Sequence, residues 1–268
     1  MVPSGSGRVA SFGYDGATLI DEVLGDPADR HIVFLHGWGG NRESLRPIGT
    51  LFQNAYCVHL LDLPGFGDSA LPPPDWNTVK YTDLVQQYLL NRIAGSVIVV
   101  GHSFGARVAV RLAARNLAQI RGVVLIAAPG LPAPRYSRAR IRRFAISSLR
   151  RLLVGLRGLT GPVPLEWHTR RFGSKDYLEA GELRPVLVRV VGEDLTQAAR
   201  EVPCPVLLLW GAEDHETPPS LAYRFQRLMN GRASLEILPH KQHHPYTGTG
   251  AHLCAFKIRS WLKSHGES

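Results

Sequence analysis

One pentapeptide has the residue types and spacing of a nucleophile site: Gly101-His102-Ser103-Phe104-Gly105. Four β-branched apolar residues, Val97 to Val100, precede it and read as a strand buried on both faces. Behind it, Ala106, Val108, Ala109, Val110, Leu112 and Ala113 follow a helical period. A serine at a sharp strand-to-helix turn projects its hydroxyl clear of the sheet, and glycines on either side leave room for close backbone approach. The first helical amides, beginning at Phe104, then favour negative charge developing at the same spot. A second loop suits the same chemistry. His36-Gly37-Trp38-Gly39-Gly40 follows an apolar run, and its Trp38 N–H is a candidate second donor to an oxyanion. Asp62 and Asp68, in Asp62-Leu63-Pro64-Gly65-Phe66-Gly67-Asp68-Ser69, read as turn residues bonding their own backbone.

These loops need a scaffold that brings their ends together. Arg8–Tyr14 and Ala17–Val23 flank Asp15-Gly16 as a hairpin. His31–Leu35, Tyr56–Leu61, Val97–Val100, Gly122–Ala128, Val206–Trp210 and Leu235–Leu238 read as strands. Helices are expected over Thr78–Ile93, Lys175–Glu182, Pro185–Val191, Pro219–Met229 and His252–Lys263. Strands alternating with helices imply an α/β fold with a mostly parallel central sheet and helices on both faces. From Pro129 the character changes. Arg135 to Arg157 carries eight arginines, and no acid occurs between Asp83 and Glu166. Ile141, Ala145, Leu149, Leu152 and Leu156 keep helical spacing within that stretch, so residues 131–202 are expected to form a helical insertion. The core would comprise 1–130 and 203–268.

Composition narrows the function classes. An apolar share of 44% and a charged share of 20% are those of an ordinary globular chain of 268 residues. The net charge of +9 comes mostly from 26 arginines, but no nucleic-acid-binding module or phosphate loop accompanies it, so no nucleic-acid partner is expected. Contact of the basic insertion with a membrane surface is open but not favoured over a solvated arginine face. Cys57, Cys204 and Cys254 lie far apart, which argues against a disulfide framework or a thiolate zinc site and for a reducing compartment. With no signal-like start and no membrane-length apolar run, a cytoplasmic protein is expected.

Taken together, the motifs resemble the α/β-hydrolase superfamily over nearly the whole chain, and the insertion falls where that family carries a cap. The resemblance implies a triad in chain order Ser, acid, His. The nucleophile position matches Ser103. The acid matches Asp214, in a pattern met by Trp210, Gly211, Asp214 and Pro218. The base falls in Gln242-His243-His244-Pro245, where the family usually has Gly-His. His243 is the expected base and His244 its alternative. Trp38 and Phe104 match the oxyanion donors, and His36, His102, Phe144, Leu149 and His244 are expected to line the substrate pocket. His240, His243 and His244 have no partner carboxylate that would make them a metal site, so neither metal nor cofactor is expected. The implied activity is hydrolysis of carboxylic esters of small or medium acyl substrates through an acyl-enzyme. Carbon–carbon bond hydrolysis, thioester hydrolysis and a low-turnover receptor are the alternatives, and oligomeric state is left open.

Overall fold

The computed structural model describes residues 7–26, 30–132 and 175–266. Eight strands form one sheet: β1 (Arg8–Tyr14), β2 (Ala17–Leu24), β3 (Arg30–Leu35), β4 (Cys57–Asp62), β5 (Ser96–His102), β6 (Ile120–Ile126), β7 (Val206–Gly211) and β8 (Ala233–Leu238). Their order is β1-β2-β4-β3-β5-β6-β7-β8. The β1–β2 hairpin and the β2–β4 pair are antiparallel, and every later pairing is parallel. The hairpin turn places Asp15 at φ 50° and Gly16 at φ 74°, the left-handed conformation that an Asp-Gly turn supplies.

The helices are α1 (Arg42–Gly49), α2 (Thr78–Arg92), α3 (Phe104–Ala114), α4 (Lys175–Glu179), α5 (Arg184–Gly192), α6 (Thr196–Glu201), α7 (Pro219–Leu228) and α8 (Gly250–Ser264), with a 3-10 turn at Gly181–Leu183. The central strands are apolar along most of their length because both faces are covered, and alternate residues feed separate cores. Val33, Val99 and Leu208 join the core under α2, α3 and α7. Ile32, Ile98 and Leu207 join the one containing Leu45 and Ile48 of α1 and Ile258 of α8.

Three local expectations change. The helix expected over Lys175–Glu182 is α4 followed by the separate 3-10 turn. Helix α1 was not anticipated, since Pro47 and four charged or polar residues obscure its apolar face. Neither was α6, whose six residues are too short to show a period. Most of the expected insertion, residues 133–174, lies outside the described residues, Phe144 and Leu149 included. Among the described residues no helix is long and apolar enough to cross a membrane.

Candidate active site

A parallel sheet delivers its loops to one end, and Ser103, Asp214, His243 and the Gly-rich loop at 36–40 all follow the C-terminal ends of strands. Ser103 stands between β5 and α3 with φ 47° and ψ −108°, a strained conformation for a side chain with a Cβ. The turn is closed around it. Ser103 N–H donates to Ile126 O (2.9 Å) and Gly105 N–H to His36 O (3.0 Å). A Cβ at Gly101 would sit 2.6 Å from Gly105 O, and one at Gly105 would collide with the Leu35 carbonyl. Gly101 is therefore demanded by the turn's own backbone and Gly105 by the backbone at the end of β3.

Asp214 follows β7 and His243 follows β8, and the sheet brings them together. His243 Nδ1 lies 2.9 Å from Asp214 Oδ2, with both side chains buried. Of the two adjacent histidines, His243 makes this contact, while His244 is exposed and packs its ring 4.8 Å from that of His102. Burial acts to raise the Asp214 carboxyl, but hydrogen bonds from His243 and Thr217 outweigh it and hold the group below its usual range. Thr217 is the functional residue that sequence reasoning missed. Its hydroxyl donates to Asp214 Oδ2 (2.6 Å) and its N–H to Oδ1 (2.8 Å). Trp210 Nε1–H fixes that turn by donating to Thr217 O (2.7 Å). A Thr three residues after an acid is a legible turn signal, but nothing in the sequence marks it as a carboxylate ligand.

His36 and His102, expected along the pocket, are each at most 1% exposed and bonded to protein at both ring nitrogens. His36 Nδ1–H donates to Gly37 O (2.7 Å), and its Nε2 accepts from Leu63 N–H (3.0 Å). It thereby ties the Gly-rich loop after β3 to the loop after β4. Burial lowers its pKa to about 4, so it stays neutral. His102 Nε2–H donates to His243 O (2.9 Å), leaving Nδ1 to accept from Tyr246 O–H (3.1 Å). Burial, then the neighbouring His243 and His244, keep this ring neutral as well. The residue preceding the serine thus holds the backbone of the residue that faces Asp214.

The Gly-rich loop runs beside the serine, and a Cβ at Gly37 would lie 3.3 Å from Ser103 Cβ. Trp38 stacks edge-on against Phe104 (5.4 Å) and Phe66 (5.0 Å). Neither the Trp38 nor the Phe104 N–H has a hydrogen-bond partner among the described residues. Asp62, as expected of a turn residue, accepts from Asp68 N–H (3.0 Å); it also takes Arg42 N–H (2.6 Å) and pairs with the Arg42 guanidinium. A cleft of about 270 Å³ opens past Trp38, bounded by Gly39, Phe66, Asp176, Ala180 and Leu183. A second, of about 420 Å³, lies on the other side, bounded by Glu216, Lys241, His243, His244 and Thr247. His243 Nε2 looks toward it, 3.7 Å from Glu216 Oε2.

Comparison with known proteins gives the family. A family model described as alpha/beta hydrolase family matches residues 32–251. The pimeloyl-[acyl-carrier protein] methyl ester esterase of Chromobacterium violaceum is 30% identical over 223 residues, which are 75% of this chain and 81% of that protein. Among solved structures, a bacterial membrane phospholipase A superposes with a TM-score of 0.75 at 21% identity, covering 98% of this chain and 88% of that one. A thermophilic esterase from Thermogutta terrifontis superposes at 0.70 and 18% identity, covering 96% of this chain and 99% of that one.

Proposed function

Because this chain belongs to the alpha/beta hydrolase family, we propose that it hydrolyses carboxylic esters of small or medium acyl groups, with Ser103 as nucleophile, His243 as base and Asp214 as the acid that orients it. The observation that carries this reading is the His243–Asp214 contact at 2.9 Å, brought to the same sheet end as a serine held at φ 47°. Nδ1–H donates to Asp214, so Nε2 carries the lone pair that takes the Ser103 proton as Oγ attacks the ester carbonyl. The carbonyl oxygen becomes an oxyanion, received by the N–H groups of Trp38 and Phe104. His243 returns the proton to the departing alkoxide, and a water repeats the sequence to release the acid. The methyl ester of a carrier-bound acyl chain, the substrate named for the Chromobacterium relative, falls within this class. Residues 131–202 are the cap in this reading, and among its described residues Ala180 and Leu183 bound the cleft past Trp38.

A fluorophosphonate tests the reading directly. It labels Ser103 at one equivalent per chain, and Ser103→Ala removes both the label and roughly 10⁶-fold of turnover. Ester hydrolysis surviving at near wild-type rate in purified Ser103→Ala would overturn it. Aryl esters of graded acyl length, run beside a thioester and a vinylogous diketone, separate ester cleavage from thioester and carbon–carbon cleavage.

A further inference from the structure

The opposite end of the sheet holds a second cluster of chemistry-bearing side chains that the proposed reaction does not use. In the parallel β3–β4 pair, His31 stands opposite Cys57 and Val33 opposite His59. Paired residues share a face, as do residues two apart on one strand, so His31, Cys57 and His59 all point to the side covered by α2. All three are buried, and their ligand-type atoms lie within 4.8 Å of one another. His31 Nδ1 and His59 Nε2 are 3.0 Å apart. Two imidazole nitrogens on one tetrahedral ion stand roughly 3.3 Å apart, from metal–nitrogen bonds of about 2.0 Å.

We propose that His31, Cys57 and His59 form a zinc-binding site at the N-terminal edge of the sheet, with water in the fourth position. The second shell supports that donor set. Tyr88 O–H donates to Asp21 Oδ2 (2.8 Å), so the Tyr88 oxygen accepts from His59 Nδ1–H (2.8 Å). That proton placement leaves the His59 Nε2 lone pair aimed into the cluster, in the manner of ligating histidines steered by an outer carboxylate. In the metal-free protein His31 Nδ1–H fills the gap by donating to His59 Nε2. Zinc entry moves that His31 proton to Nε2 and releases the Cys57 thiol proton to solvent, while the two imidazoles and the thiolate each donate an electron pair. Burial and the neighbouring His31 lower the His59 pKa to about 3, so the ring is a neutral ligand rather than a cation. Burial raises the Cys57 thiol, with Arg8 opposing and Asp26 reinforcing, so a dication, not bulk pH, is what makes it a thiolate. Widely spaced cysteines argue against a thiolate zinc site in sequence; a mixed site assembled by strand register leaves no such spacing to read.

The test does not depend on ester turnover. Protein produced in zinc-supplemented medium carries about one zinc per chain, and chelation lowers its Tm by roughly 5 °C or more. The cobalt form shows a thiolate-to-metal charge-transfer band. That band persists in Cys204→Ser/Cys254→Ser, where Cys57 is the remaining thiol, and vanishes in Cys57→Ser. His59→Gln weakens zinc at least ~100-fold, and Tyr88→Phe weakens it ~10-fold. Zinc content near zero in the wild-type protein, loss of the band in the double serine variant, or zinc affinity unchanged by His59→Gln each overturns the proposal. The double variant leaves the three ligands intact, so the test holds even if Cys57→Ser fails to fold.

Discussion

The two ends of the sheet set the same side chain in two environments. At the C-terminal end His243 bonds a carboxylate directly, 2.9 Å from Asp214. At the N-terminal end His59 reaches its carboxylate, Asp21, through the Tyr88 hydroxyl. Direct contact stabilises an imidazolium forming on the ring, which a general base requires. Contact through a phenol fixes the tautomer without offering that charge, and burial lowers the His59 pKa to about 3. His36 and His102 belong with His59 in this respect, since their partners are backbone groups and a phenol, and burial keeps them neutral. In the proposed mechanism, what sets His243 apart from the other buried histidines is the charge of its Nδ1 partner rather than its depth.

The sharpest way to break the comparison is to neutralise both carboxylates in turn. Asp214→Asn keeps the shape but favours the wrong His243 tautomer, and is expected to lower kcat by about 10⁴. Asp21→Asn, the matching change at the far end, is expected to leave kcat within a factor of ~2–3 while lowering stability. Steady-state kinetics and urea unfolding on both variants check the pair. Equal kinetic losses would mean the two ends are not separable.

Acid unfolding gives the next largest effect. The folded pKa values of His36, about 4, and His59, about 3, lie below the ordinary histidine value, and that of His102 lies well below it. Below pH 6.5 the unfolded chain therefore binds protons that the folded one refuses, and stability falls as pH drops. Each ring adds a slope of up to about 1.4 kcal/mol per pH unit in the window between about 6.5 and its folded pKa. Urea unfolding of metal-free protein from pH 7.5 to 5.0 reads this directly, and His59→Gln should flatten the slope by one proton. A flat profile would mean that these rings are not buried neutral.

Two smaller effects sharpen the contrast. Tyr88→Phe removes the hydroxyl between His59 Nδ1 and Asp21 Oδ2, and is expected to cost about 1–3 kcal/mol in unfolding free energy with unchanged kcat. His244→Ala is expected to leave turnover within ~10-fold of wild type, whereas His243→Ala abolishes it. The reverse outcome would move the base by one residue.

The sheet was legible from sequence because a strand buried on both faces writes itself as an unbroken apolar run. Val97–Val100 and Val206–Trp210 lie within β5 and β7. Ser103 was legible for a related reason: a turn this strained needs glycines on both sides. The helpers were not. His36 and His102 each tie in a group far along the chain, Leu63 and His243, and Thr217 bonds Asp214 three residues back; bonds of this kind leave no periodicity. His31 and His59 are 28 residues apart and meet only through the β3–β4 register. Register depends on which strands become neighbours, so it is read from the fold and not from either strand alone.

The double grip of His102 bears on how this protein tolerates insertions and deletions. One ring nitrogen holds the His243 carbonyl and the other the Tyr246 hydroxyl, so the four residues from 243 to 246 are measured against a fixed gauge. Chain added before Gln242 or after Thr247 lengthens a surface loop at little entropic expense, because closure cost grows only slowly with loop length. Chain added between His243 and Tyr246 must release one end of the gauge, and with it the backbone that carries His243. Length variation on this rim is thus channelled to either side of a four-residue block, and a library aimed at reshaping the neighbouring cleft should place its insertions there.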